Sequence, residues 1–460
     1  MSDTISRRGF LKGIAASAAA IALPQFVSKG TVMEKKRRVC LDRDGGDRAT
    51  AYTMSNKIVR FGNSYLCTWM GQNRVNSWAF VDPGDGSVIH RGTLGEKGVD
   101  NHCAAALART PSGTVHAITG GHHSPLRHYE LEPGNSLEWQ HVSTLDAQAT
   151  YPSLVSDAEG GLHLTFRCSG ERWTLWYARF RDGRWGDSRP LVQAQKPGYI
   201  YWTNALALGP KGRLHLVFAN TRVLDNEALY HDASHLYSDD SGETWRQYGG
   251  DALSRYPVKV NELGLIGGDA DARRIESKEH QERYEAPGPA NLNYLQILLS
   301  NPVVTDAGNP CVILNNGLDG TADLRHFDGT GWAATPLAGL VSDLAPEYRI
   351  HMQSTLSRNS DGMLQAVIMI EPTSSCIWGA AGTNMIRITF DANYKPVEAA
   401  LVRSPNPDLA QWLPALEQWS WVCKSEVPAL LYTVGRNAGG FGNNKNELKT
   451  EVWMEIPDLG

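Results

Sequence analysis

The chain has 460 residues, is 42% hydrophobic and 20% charged, and carries a formal net charge of −5 with a mean hydropathy of −0.34. It is long enough to bury a large core, and its composition excludes a membrane bundle. Its basic residues are scattered rather than gathered into a stripe, and a pI near 6.3 gives no field that would collect nucleic acid.

The N-terminus comes first. Ser6-Arg7-Arg8-Gly9-Phe10-Leu11-Lys12 precedes an apolar, alanine-rich run from Ile14 to Leu23. Paired arginines followed by a short apolar region are the layout of a twin-arginine export signal. Residues 1–30 are assigned to that signal and 31–460 to the exported domain, which places the protein in the periplasm or outside the cell. Ala20-Ile21-Ala22 is only a fair cleavage site, so the mature start is expected between Leu23 and Glu34. The seven cysteines (40, 67, 103, 168, 311, 376 and 423) are odd in number and lack CxxC spacing, so they read as buried thiols rather than a disulfide frame.

Beyond the signal the sequence repeats. Short alternating runs flank polar turns in AALARTPSGTVHAITGG, YPSLVSDAEGGLHLTFRC and NALALGPKGRLHLVFAN. Aligning Gly113, Gly160 and Gly212 gives spacings of 47 and 52 residues and brings His116, His163 and His215 to one repeat position. Four weaker copies are KIVRFGNSYLCTWM, LLSNPVVTDAGNPCVILNN, STLSRNSDGMLQAVIMI and WSWVCKSEVPALLYTVG. Seven units with a period near 50 predict an all-β, seven-bladed β-propeller in a single domain, expected to act as a monomer. Ser238-Asp239-Asp240-Ser241-Gly242-Glu243-Thr244-Trp245 fits the S-x-D-x-G-x-T-W turn, in which the aspartate caps the hairpin's own amides. The segment 261–293 breaks the period. Its charged core, DARRIESKEHQERYEA, predicts a short solvated helix closing before Pro287, in an insertion between blades.

Function is sought where the repeat is broken. Histidines recurring in register, such as His116, His163 and His215, are read as structural strand residues. His102 and His122 do not recur: their counterparts are Ala149 and Ser169, then Tyr201 and Thr221. Departures from a repeat mark grafted function. If the turn TPSGT centres on residue 112, His102 and His122 lie ten residues either side and should face each other. If DAEGG centres on 159, Tyr151 and Arg167 lie eight either side and should also pair. Adjacent blades would then bring all four to one face. His123 should sit on the opposite strand face from His122, as a loop or packing residue, with a secondary place among substrate contacts. Tyr201 and Arg222 fall at or next to the equivalent positions of the third hairpin and are weaker candidates for gripping a neighbouring sugar.

The chemistry of this set is specific. Glycosidases normally need two carboxylates, and these four residues offer none. His102, His122 and His123 lack a clear fourth ligand, so no metal site is assigned. An arginine neutralises a carboxylate, while histidine and tyrosine exchange protons beside it. β-Elimination on a uronic acid requires that combination, because the C5 proton can be removed only when the adjacent carboxylate charge is offset.

His102, then Gly121-His122-x-x-Pro125-Leu126-x-x-Tyr129, then Tyr151-Pro152 and His163-x-x-Phe166-Arg167 resemble the BNR-repeat β-propeller polysaccharide lyases that cleave ulvan and related rhamnosyl-glucuronate linkages. The likeness spans most of the exported chain, and its specific part is Asp100 to Arg167. Those enzymes commonly carry Asn after the first histidine, whereas here Asn101 precedes His102 and Cys103 follows it. The resemblance implies that Arg167, helped by His122, neutralises the uronate, that His102 takes the C5 proton, and that Tyr151 protonates the leaving O4. It implies an anionic polysaccharide or oligosaccharide partner, no membrane partner and no required cofactor. A structural Ca²⁺ in the central channel is compatible with it but has no motif. Two other outcomes stay open: an exo-acting α-L-rhamnosidase on rhamnose-capped glucuronate glycans, and a non-catalytic glycan-binding propeller whose fourteen tryptophans supply aromatic platforms.

Overall fold

The computed structural model describes residues 36–457 apart from 53, 135–136, 196, 198–200, 225–227, 268–296, 317–319, 374–377, 421–426 and 437–445. The side chains of 201 and 221–232 are likewise outside what is described. The export signal, and the core of the insertion with its expected helix, lie outside the described residues. Those that are described belong to one compact unit, Val32–Gly460.

Short runs of alternating and β-branched residues, punctuated by Gly, Asp and Asn turns, make sheets that are antiparallel except where Arg189–Gln193 pairs in parallel with Val258–Lys259. Among the described residues there are six. The first strand, Arg37–Gly45, pairs with the last, Thr450–Ile456, so the two ends of the chain close one sheet, with Arg37 opposite Ile456 and Cys40 opposite Trp453. Ile58–Phe61, Ser64–Met70, Asn76–Val81 and Val88–Leu94 form the next. The third is nine-stranded. Its central strand, Gln140–Ser156, is 17 residues long; its first part pairs with His122–Leu131 and its last part with Leu162–Cys168. Three further sheets follow, from Tyr201–Leu208 onward.

Each sheet buries its faces against its sequence neighbours. Leu41, Val452 and Met454 of the closing sheet pack with Ile58, Tyr65 and Cys67 of the second. Val59, Leu66 and Phe80 of the second pack with Leu107, Ala117 and Leu131 of the third. Each fully buried side chain of this size contributes roughly 1.5–3 kcal/mol, so the fold is held by sheet-on-sheet contacts between neighbours, as in a propeller.

Local expectations fare well at the turns. Asp240 accepts the Thr244 amide at 2.8 Å and Trp245 is buried beneath, as the turn motif requires. His116, His163 and His215 are all buried, and each ring meets a residue of the next strand of its hairpin: His128, Tyr177 and His235. Cys67, Cys103, Cys168 and Cys311 are buried thiols, with Cys40 partly exposed.

The predicted ladders need correcting. Arg109 pairs with Val115 and Ala106 with Ile118, which centres the hairpin on residue 112, but the ladder stops at Ala106 and His102 stands in a turn before it. In the next hairpin Thr165 pairs with Ser153 as expected. A bulge then intervenes, so that Arg167 pairs with Thr150 rather than Tyr151.

Candidate active site

GGHHSP, the stretch that broke the repeat, is the turn between the strands Val115–Gly120 and His122–Leu131. Gly120 and Gly121 have φ of 86° and 94°, a region glycine enters without the usual penalty. A Cβ on Gly120 would lie 2.5 Å from the Pro125 carbonyl. His123 also has positive φ, at 53°. The pleat is therefore broken here, and His123 does not point away from His122: their ring centroids are 4.5 Å apart, and His123 meets Trp173 edge-on at 5.2 Å. Burial, then the nearby His122 and Arg167, push the His123 imidazole down to about 4.

Thr150 is the hub of the site, paired with His122 on one side and Arg167 on the other. The adjacent Tyr151 takes φ of 59°, an uncommon conformation for a bulky residue. Neighbours hold it there: Asn204 donates to the Tyr151 carbonyl at 3.1 Å and accepts from Thr165 at 2.6 Å. The bulge turns the Tyr151 ring toward the histidines, 5.8 Å from His102 between centroids. The fully buried Arg167 guanidinium lies between two aromatic faces, 4.6 Å from the Tyr151 ring and 4.6 Å from Trp173.

His102 and His122 meet, although not through a ladder. Their rings stack at 3.9 Å with 19° between planes. Asp100, which sequence reasoning missed, joins them: Oδ1 accepts from His102 Nδ1 at 3.1 Å and from the His102 amide at 2.9 Å, and Oδ2 accepts from His122 Nδ1. Burial alone would raise the Asp100 carboxyl, but the hydrogen bonds from His102 and His122 outweigh it and hold the group well below the usual carboxylate range. An ionised Asp100 fixes the proton on Nδ1 of both rings and leaves each Nε2 as the basic atom. His102 is 7% exposed, and burial pushes its pKa down to about 3 against the opposing pull of Asp100, so the ring is neutral at neutral pH.

Three more groups complete the wall. Tyr52 stacks on His102 at 5.4 Å and meets Tyr151 edge-on at 4.9 Å. Buried Arg48 lies 4.4 Å over the Trp378 ring and reaches the Tyr52 hydroxyl at 3.4 Å. Tyr201 pairs by backbone with Thr221, next to Arg222, on the following sheet, but the side chains of Tyr201 and Arg222 are outside the described residues. Asp100, His102 and His122 place ligand atoms within 4.8 Å of one another and are the groups here that could hold a metal. Both Asp100 oxygens already face ring nitrogens, which is the geometry of a carboxylate orienting two imidazoles.

The model for BNR repeat-containing family members matches residues 70–282, and that for twin-arginine translocation signals matches residues 4–24, so the chain carries an export signal to the periplasm or beyond. No curated protein matches the chain. Among solved structures it is similar to a PL25 ulvan lyase bound to -[GlcA(1-4)Rha3S]-, with 12% identity, a TM-score of 0.63, and coverage of 92% of this chain and 96% of the other. It is also similar to the polysaccharide lyase Uly1, with 14% identity, a TM-score of 0.58, and coverage of 93% and 100%. The BP39L lectin from Burkholderia pseudomallei follows at 10% identity and a TM-score of 0.50, covering 89% of this chain and 98% of the lectin. The chain thus shares its fold with the BNR-repeat propeller polysaccharide lyases.

Proposed function

We propose that the protein is a polysaccharide lyase that cleaves a rhamnosyl-(1,4)-uronate linkage, in ulvan or a related glucuronate glycan, by β-elimination. In this reading residues 31–460 form one seven-bladed propeller, the long strand Gln140–Ser156 belonging to two blades at once. The observation that carries the function is the meeting of a buried arginine, stacked on Tyr151, with a pair of histidines bridged by Asp100.

In the proposed reaction Arg167, with His122 beside it, offsets the uronate carboxylate so that charge can spread from C5 into the carboxyl group. His102 Nε2 takes the C5 proton. The electrons of that C–H bond form the C4=C5 double bond, the C4–O4 bond breaks, and the Tyr151 hydroxyl donates its proton to O4. The neutral His102 is ready to accept, and the incoming carboxylate supplies the negative charge that stabilises the imidazolium. In D-glucuronate the C5 hydrogen and O4 share a ring face, so base and acid must stand together, as His102 and Tyr151 do. Tyr201, Arg222 and His123 are the proposed contacts to flanking sugars.

The test is incubation of the exported chain with a panel of uronate-containing polysaccharides while following the ultraviolet absorbance of the unsaturated uronate. The absorbance should rise with at least one of them. Release of rhamnose without that absorbance would instead show hydrolysis, and tight binding without product would show a lectin.

A further inference from the structure

The strand that leads to His122 carries a second cluster at its other end. His116 stands opposite Glu130 across the hairpin, and His128 lies two residues before Glu130. His116 Nδ1 is 3.0 Å from His128 Nε2 and 3.3 Å from Glu130 Oε1, and His128 Nε2 is 3.9 Å from Glu130 Oε1. Three ligand atoms on a zinc ion, at about 2.0–2.2 Å each in a tetrahedron, would stand roughly 3.3–3.5 Å apart. The three separations, 3.0, 3.3 and 3.9 Å, lie within about 0.4 Å of that range.

The repeat supplies a control. His215 and His235 form the same Nδ1 to Nε2 pair at 3.2 Å in a later hairpin, so paired imidazoles alone are a structural device of this fold. The residue opposite the repeat histidine is what differs. Across the ladder it is Tyr237 opposite His215 and Arg179 opposite His163, and a carboxylate opposite His116; the carboxylate near His163, Asp157, comes from the turn before it. The surroundings differ as well. A cavity of about 340 Å³ lies between the turns Thr110–Thr114 and Asp157–Gly161, with His116, Glu130 and the further carboxylate Glu132 on its wall. His215 and His235 are both buried.

We propose that His116, His128 and Glu130 form a zinc site whose fourth position opens to water in this cavity. Two imidazoles and one carboxylate suit a borderline cation such as zinc; calcium and magnesium prefer oxygen ligands. The ion would tie Val115–Gly120 to His122–Leu131, and so brace the hairpin whose far end holds His122. His116 and His122 stand at opposite ends of Val115–Gly120 and its turn, and the four strand steps from His116 to Gly120 alone span roughly 13 Å at about 3.3 Å per residue. The site is therefore structural and apart from the proposed reaction centre.

The test uses the exported chain stripped of metal, with zinc chloride added. Calorimetry and thermal unfolding should show one zinc ion bound and a raised Tm. Glu130 is partly exposed, so Glu130→Gln should fold; it should weaken that zinc at least about tenfold, since even outer-shell changes cost 10–100-fold. Asp100→Asn, at the other cluster, should leave it bound. Zinc affinity and Tm gain unchanged in Glu130→Gln, zinc lost in Asp100→Asn but kept in Glu130→Gln, or an equal response to calcium would each overturn the assignment. Because these readouts are independent of turnover, an inactive protein leaves the zinc test intact.

Discussion

Each oxygen of Asp100 takes one imidazole, and that division sets the expectation for its substitution. Asparagine can offer only one oxygen and presents N–H to the second ring, which must then change tautomer or turn away. Asp100→Asn should therefore lower kcat by about 10²–10⁴-fold, with KM little changed. Steady-state kinetics on the responsive polysaccharide decide it: a loss of only a few fold would mean that the pair is oriented by something else. His102→Ala and Tyr151→Phe should each cost about 10²-fold or more, and the double variant little beyond either single one, since groups acting as a unit are not additive. Arg167→Lys keeps the charge but loses the planar fork and its fit between the Tyr151 and Trp173 rings. It should lower kcat more than it raises KM. His163 contrasts with these. It is tied to Tyr177 at 2.7 Å and Asp157 at 3.2 Å, so His163→Gln should lower Tm while the folded fraction keeps its turnover.

At the scale of elements, the hairpin Val115–Leu131 makes the position of His122 depend on backbone at Gly120. Gly120→Ala puts a side chain in the left-handed region, which costs on the order of 1–2 kcal/mol for the conformation alone, and drives its Cβ against the Pro125 carbonyl. It should lower both Tm and kcat, whereas alanine at Gly160, a positive-φ turn glycine with open space around its Cβ, should lower Tm alone. Equal kinetic effects of the two substitutions would detach His122 from this turn. The same hairpin shows what the sequence could reveal. Counting outward from the turns correctly pairs Ala106–Arg109 with Val115–Ile118, and Ser156 to Ser153 with Leu162 to Thr165, because an unbroken pleat has a fixed period. Counting fails past Ala106 and at Arg167, where a turn and a bulge end the period. The four residues still converge, because Asp100 gathers the histidines and the bulge swings Tyr151 toward them. Positive φ at Tyr151 depends on Asn204 from the next sheet, a partner that no local pattern announces. Asp100 was within reach of sequence reasoning: an aspartate two residues before a site histidine can cap its amide, which is where it sits.

At the scale of the whole molecule, close packing between sheets leaves many imidazoles buried and neutral, and this makes stability depend on pH. Burial pushes His102, His128, His235 and His351 each down to about 3, and lowers His163 and His215 as well. In the unfolded chain each returns to about 6.5. Between about pH 6.5 and 3 the unfolded state therefore holds more protons than the native one, so stability rises with pH across that window and is lost as pH falls. The lowered Asp100 and Asp157 carboxyls act in the same direction toward the acid end. Glu371 opposes them. Burial pushes its carboxyl up to about 7 despite Arg349, so its contribution is present at low pH and lost as pH rises from about 4.5 to 7. Four histidines near 3 and His123 near 4, against one raised glutamate, leave a net uptake of roughly four protons on unfolding at pH 5. Tm should therefore fall steeply between pH 6.5 and 4.5, and Glu371→Gln, which removes the opposing group, should steepen that fall. A Tm that stayed level across this range would mean that the buried imidazoles take up protons within the folded protein, and the neutral His102 on which the proposed proton abstraction depends would be lost with it.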